Sequence, residues 1–394
     1  MKEDKMKKIN FAWLLVITPL IPLTIAAKCT TTKPAEPVKP EPNNTEENLK
    51  AYEFEFHADT DSYSIKKYNI EGLEDKDILL PSLYKNKKVT SIDEEAFTGI
   101  KLASGKKLFI SETLEKLEAD FLTGLLNFED INPTNVVINP KNKYFTFDEK
   151  GNLIDKVNKK IIIVKDISTL PTDIEVIGKN AFSNSTITEL ILPASVKEIE
   201  EGAFYGCSNL EKVTLNEGLE TIGKNAFSET GIKKIIVPKS VKTLEAGAFA
   251  NSMFLTTVTL QEGLETIGEY VFTRTAIKSI VLPSTVKKIA KEAFVYCGEL
   301  TSVTLNEGLE TIEDEAFSDC LSLTEIILPS SIKTLGQKLF SNSYSQLSDV
   351  QLTIKIKGHT DPTSKAGFNA NWDLFEGSVD GKTHYSEIGK VLYI

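Results

Sequence analysis

A phenylalanine returns along this chain at nearly constant intervals. With Phe182, Phe204, Phe227, Phe249, Phe272, Phe294, Phe317 and Phe340 as marks, the gaps are 22, 23, 22, 23, 22, 23 and 23 residues. A tandem repeat of this length folds as a solenoid, each unit making one turn that touches only its neighbours. One unit, Leu210 to Phe227, shows why. Its apolar residues Leu210, Val213, Leu215, Leu219, Ile222, Ala226 and Phe227 are too few to close a core alone, so stacking is obligatory. The alternation Val213, Thr214, Leu215 reads as a short strand with Thr214 outward, and turn-formers follow at once. Stacked copies make a parallel ladder. At about 4.8 Å per strand, eight turns run roughly 40 Å.

The repeat is double. Pro193, Pro238 and Pro283 stand 45 residues apart with Pro329 46 further on, and Gly218, Gly263 and Gly308 interleave at 45. Proline turns (LPASV, VPKSV, LPSTV, LPSSI) thus alternate with NEG or QEG turns. Beyond each turn comes a charge: Glu175, Lys197, Glu220, Lys242, Glu265, Lys287, Glu310 and Lys333, alternating in sign. A single-type repeat would stack like charges on neighbouring strands. Alternation makes exposed ion pairs instead, each worth about 0.2 to 1 kcal/mol, so their expected role is structural, in register more than in stability.

The pattern LxxVxLPxxVxxIxxxAFxxC resembles the leucine-rich repeat of BspA-like bacterial surface proteins. Leu300 to Leu323 (LTSVTLNEGLETIEDEAFSDCLSL) follows it at nearly every anchor; Val271 before Phe272 and Leu339 before Phe340 depart from its alanine. The resemblance implies a β-rich, right-handed leucine-rich-repeat solenoid of 22–23-residue turns, displayed on a surface and binding host proteins or cells.

Residues 1–28 begin with lysines at 2, 5, 7 and 8, followed by an apolar run from Phe11 to Ile25 broken by Pro19 and Pro22. That run is shorter than the roughly 20 residues of a spanning helix and reads as a secretory signal. Ala26, Ala27 and Lys28 lead into Cys29, and AAKC resembles the looser mollicute form of a lipoprotein signal. The resemblance implies lipidation at Cys29, which would remove the signal and tether the chain to the outer face of the membrane; two or more acyl chains hold stably. Residues 29–50 form a tether in which prolines at 34, 37, 40 and 42 favour extension at about 3.1 Å per residue, up to roughly 60 Å.

Residues 51–100 alternate as a hairpin turning at Ala58 to Asp61. A first repeat follows, with Pro81 and Phe97 in the proline and phenylalanine places; together they make the N-terminal β-hairpin cap. A cap is needed because a bare first turn exposes apolar surface and unpaired backbone. Residues 101–165 interrupt the rhythm. Phe121 marks a turn 24 residues after Phe97, and turn signals at Asn139 to Asn142 and Lys150 to Asn152 divide apolar segments in an arrangement resembling the family's hairpin insertion, a binding loop or an inert one. The regular array covers 166–345. Residues 346–394 form a C-terminal cap, with VQLTIKIKG as last strand and Trp372 as a lid over the final turn.

The net charge of −11 disfavours nucleic acid and anionic lipid as partners. Of the 45 basic residues only Arg274 is arginine. Cys207, Cys297 and Cys320 each lie three residues after a marked phenylalanine, where other turns hold Ser185, Thr230, Ser252, Thr275 and Ser343. The place takes a small side chain, and free, buried thiols are expected. Neither CxxC, GxSxG, HExxH nor GxGxxG occurs; GSVDGKT from Gly377 to Thr383 is one residue short of a phosphate loop, and His359, Asp361 and His384 match no standard metal spacing. No catalysis, metal or cofactor is expected.

The outward residues between the last two core positions are Ile191, Thr214, Ile236, Thr259, Val281, Thr304 and Ile327, a wholly β-branched column. Such residues suit a pleated surface, and a polar-poor stripe is also a candidate protein-binding face. The expected protein is a monomeric, lipid-anchored binding module whose partner is a host matrix, plasma or cell-surface protein. The alternative is a structural or antigenic coat component without a dedicated ligand.

Overall fold

The computed structural model describes residues 44–166, 170–341 and 352–357, and the backbone of three further strands, Leu374–Val379, Lys382–Glu387 and Lys390–Tyr393. Residues 1–28, expected to be a signal, Cys29 and Trp372 lie outside the described residues.

Each regular turn lays down two strands, where the repeat pattern foretells one. The expected strand is there, as in Lys212–Thr214, buried at Val213 and exposed on either side. A second strand of two residues follows the turn, as in Thr221–Ile222. These short strands build a ladder of eleven that runs from Thr334–Leu335 back to Val176–Ile177 in parallel and then continues through Lys160–Ile163, Leu153–Asp155 and Phe145–Phe147. The last three are antiparallel to one another. The insertion is therefore a three-stranded meander that supplies the array's first rungs, rather than a hairpin standing apart from it.

The third corner of each turn carries the phenylalanine. Every marked Phe from Phe182 to Phe317 lies between two residues of positive φ: Asn180 and Asn184, Gly202 and Gly206, Asn225 and Glu229, and so on to Glu315 and Asp319. Two left-handed residues turn the chain in, seat the ring, and turn it out. The backbone N–H of Phe204 donates to Ala226 O at 2.8 Å, and that of Phe227 to Ala248 O at 2.8 Å, so this corner is also bonded turn to turn. The eight rings form one stack with centroids 4.7–5.9 Å apart and planes within 27°. The small residue three places on is a hydrogen-bond donor: Cys207 Sγ, Ser252 Oγ, Cys297 Sγ and Cys320 Sγ reach the carbonyls of Phe182, Phe227, Phe272 and Phe294 at 2.9–3.3 Å. All three thiols are free and buried.

The charge column resolves into separate pairs, Lys197–Glu175 at 2.8 Å, Lys242–Glu265 at 3.6 Å and Lys333–Glu310 at 2.9 Å, instead of a continuous ladder.

Two cores lie along the chain, one from Ala51 to Ile163 and one from Ile161 to Ile356. In the first, the hairpin Tyr52–His57 with Ser62–Tyr68 forms as expected. Tyr68 stacks on Phe97 at 5.0 Å, and Phe97 meets Phe121 edge-on, so the aromatic stack has a counterpart in this first core. Residues 44–50, assigned to the tether, are docked: the Asn44 carboxamide receives the N–H groups of Ser82 and Leu83, and Thr45 caps the short helix Glu46–Leu49. At the other end Thr353–Ile356 continues the array in parallel with Glu325–Leu328, and Lys390–Tyr393 adds one strand beyond it.

Candidate binding face

The exposed strands place the β-branched column as its sequence parity requires. Ile191, Ile236 and Val281 are 67%, 57% and 60% exposed, and Thr214, Thr259 and Thr304 are exposed beside them. Register sets Ile191 beside Thr214, Ile236 beside Thr259 and Val281 beside Thr304. Ile327 differs: it is half-buried, with Lys355 of the following strand beside it.

This ladder is interrupted. Glu189–Ile191, Lys212–Thr214, Lys234–Val237 and Thr257–Leu260 form one sheet, Ser279–Val281 and Ser302–Thr304 a second, and Glu325–Leu328 opens a third. Pairing is full inside each double turn, with three or four residue pairs, and falls to the single pair Lys212–Lys234 at one step between double turns. Proline gives the reason. Gln261 N–H donates to Val237 O at 3.3 Å and closes the end of a paired step. One turn later Pro283 stands in that place and has no N–H to give to Leu260. Between Thr257–Leu260 and Ser279–Val281 a single weak backbone bond remains at the entrance, Lys278 N–H to Thr256 O at 3.5 Å.

A groove of about 610 Å³ lies over that interruption, lined by Thr257, Thr259, Ser279, Val281, Glu262 and Lys278 among others. Glu262 is occupied: the N–H and hydroxyl of Ser284 bind its carboxylate at 3.1 and 2.9 Å and hold it below the ordinary carboxylate range. The strands' other acids are paired, Glu189 with Lys212, Glu211 with Lys233 and Glu325 with Lys355. Lys234 and Lys278, both exposed, have no ion-pair partner among the described residues. The column alone did not reveal Lys234, Lys278 or the groove; the available signal for the groove was the 45-residue recurrence of proline. Among the described residues no group of His, Cys, Asp and Glu is placed to hold a metal. His359 and Asp361 lie outside the described residues, as does the side chain of His384.

The model of the BspA type leucine-rich repeat region matches residues 175–298 and 287–361, in six copies. No curated protein matches the chain. Among solved structures, a leucine-rich repeat protein from Bacteroides ovatus is 19% identical, with 81% of this chain and 98% of that one covered and a TM-score of 0.33. A leucine-rich cell surface protein from Faecalibacterium prausnitzii is 15% identical over 87% and 93%, with a TM-score of 0.37. The T. pallidum leucine-rich repeat protein is 24% identical over 45% and 86%, with a TM-score of 0.38. The array is a β-solenoid of short parallel strands, and over residues 175–361 its sequence is similar to the BspA type leucine-rich repeat region.

Proposed function

We propose that this protein is a surface-displayed, non-enzymatic binding module, anchored through acyl chains on Cys29, that takes a host matrix, plasma or cell-surface protein along the column Ile191, Thr214, Ile236, Thr259, Val281, Thr304 and Ile327. The observation that carries the reading is the column itself: three aliphatic side chains more than half exposed, in register with threonines, beside a groove. Burying such side chains against a partner gains roughly 25 cal/mol per Å² of apolar surface removed from water, with little ordering of side chains already stiff at χ1.

The test is binding of the full chain to matrix proteins, plasma proteins and intact host cells. Saturable binding by the wild type, lost in Thr259→Lys with Val281→Lys while circular dichroism is unchanged, is the expected result. Binding that survives this double substitution discards the column, and no binding anywhere by the folded chain transfers the assignment to a coat component. For the anchor, radiolabelled fatty acid should enter the wild type and not Cys29→Ser; equal labelling of both removes the lipoprotein assignment.

A further inference from the structure

The chain as a whole is acidic, at −11, yet its candidate binding face is not. Within the exposed strands and the residue that precedes each, Glu189, Glu211 and Glu325 are neutralised by Lys212, Lys233 and Lys355. Lys234 and Lys278 are left over. They stand two turns apart, about 10 Å at strand spacing, and Lys278 lines the groove. Towards the following turns the strands carry no charge, with Thr257 and Thr259, Ser279 and Val281, Ser302 and Thr304, and the lysines beside Lys234, Lys212 and Lys233, are held by Glu189 and Glu211. The face thus offers two ammonium groups without an ion-pair partner among the described residues, three exposed aliphatic side chains and a row of hydroxyls, beside three acids paired with lysines and the Glu262 carboxylate that Ser284 binds.

We infer that the partner taken by this face presents an acidic, extended protein segment. Its carboxylates meet Lys234 and Lys278, and its aliphatic side chains lie on Ile236 and Val281 and into the groove. This rests on the column being the binding face and adds the chemistry of what it binds. Charge complementarity selects the occupant: a basic segment would face two unpaired cations, and like-charge juxtaposition rejects partners as strongly as attraction recruits them. A sulfated glycan would answer the lysines but has no aliphatic side chains for the column, and two lysines are few for a polyanion.

The experiment uses fluorescein-labelled peptides of alternating Glu and Val, and of alternating Lys and Val, with the full chain and anisotropy as readout at low and physiological salt. The Glu–Val peptide should bind, more weakly as salt rises. Lys234→Glu with Lys278→Glu should weaken it by about tenfold or more, and Ile236→Ser with Val281→Ser should weaken it too. Lys143→Glu with Lys156→Glu, which changes net charge equally within the insertion, should not. The inference is overturned if the Lys–Val peptide binds as well, if the insertion variant loses as much as the face variant, or if a heparin oligosaccharide binds through the two lysines without needing Ile236 and Val281. The two proposals separate on a host protein captured by the wild type. Loss in Ile236→Ser with Val281→Ser but not in Lys234→Glu with Lys278→Glu keeps the column and removes the acidic partner.

Discussion

Phe249→Ala tests the architecture at its most crowded point. The ring is fully buried, and it sits 5.5 Å from Phe227 and 5.8 Å from Phe272 with planes 5° apart on both sides. Truncating a buried phenylalanine costs about 3–5 kcal/mol, and each aromatic pair adds about 0.5–1.5 kcal/mol beyond area. An interior turn loses both neighbours, so the upper part of that range applies, about 4–5 kcal/mol. In a stack coupled only through nearest neighbours the loss should be local. Native-state hydrogen exchange on the full chain reads it directly. The amides of Phe227, bonded to Ala248 O, and Phe249, bonded to Val271 O, should lose roughly a thousandfold in protection at about 1.4 kcal/mol per decade. Amides of the N-terminal hairpin at 52–68 should keep theirs. The control is Ile236→Ala on the exposed face, expected within about 0.5 kcal/mol of wild type. The reasoning fails if Phe249→Ala matches that control, or if protection falls evenly from cap to array.

Three further outcomes follow from named contacts. Burial pushes the Cys297 thiol up to about 11 and raises Cys207 and Cys320 as well, so in the native chain these thiols should stay inert to a thiol reagent at pH 8 and react once urea is added. Because the folded value is the higher one, their contribution to stability is complete below the ordinary thiol value and declines as pH rises towards about 11; urea midpoints measured from pH 8 to 11 should fall, and less in Cys297→Ser. At Gly263, with φ +123°, an added Cβ would lie 2.1 Å from Lys239 O, so Gly263→Ala should destabilise by about 2 kcal/mol or more, whereas Gly298→Ala, which meets nothing within 4 Å, should be neutral or slightly stabilising by thermal melts. Pro283→Gln restores an N–H at the interrupted step, and faster exchange at that new amide than at Gln261 would show that proline is not what opens the ladder.

The spacing of phenylalanines was enough to place the ring stack, the exposed strand of each turn and the outward parity of the column, because each depends on side chains whose period the sequence displays. The two-residue strands such as Thr221–Ile222 were not legible: two residues carry no alternation, and their pairing is set by the neighbouring turn. The left-handed corners show a signature over the first four turns, where asparagine or glycine occupies all of them but Glu229. Tyr270, Arg274, Glu292, Tyr296 and Glu315 hold the same positive φ with no local sign of it, each carried there by the repeat. The docked start at Asn44 was missed because its partners, Ser82 and Leu83, lie far along the chain. At the face, the column was readable and the groove was not, since the groove is a missing hydrogen bond.

That missing bond links the doubled period to the face. Proline recurs every second turn, the Pro283 step lacks the donor that Gln261 provides one turn earlier, and the exposed ladder divides into sheets of four, two and three strands. Step length alone does not account for the breaks: the interval from Thr304 to Ile327 is 23 residues, like the paired intervals, and still separates two sheets. What the unpaired steps share is entry into a proline-type turn. The same alternation sets Lys242 with Glu265 and Lys333 with Glu310 on the neighbouring edge. One sequence device therefore acts on two sides of the solenoid, separating like charges on one and interrupting the exposed ladder on the other, with a groove over the break at Pro283. The groove has Thr259 on one flank and Val281 on the next, and Thr304 and Ile327 flank the other sheet break in the same way. A partner that reads this face meets a double turn as its unit, at intervals of about 10 Å. An array of identical single turns would offer neither the breaks nor that spacing.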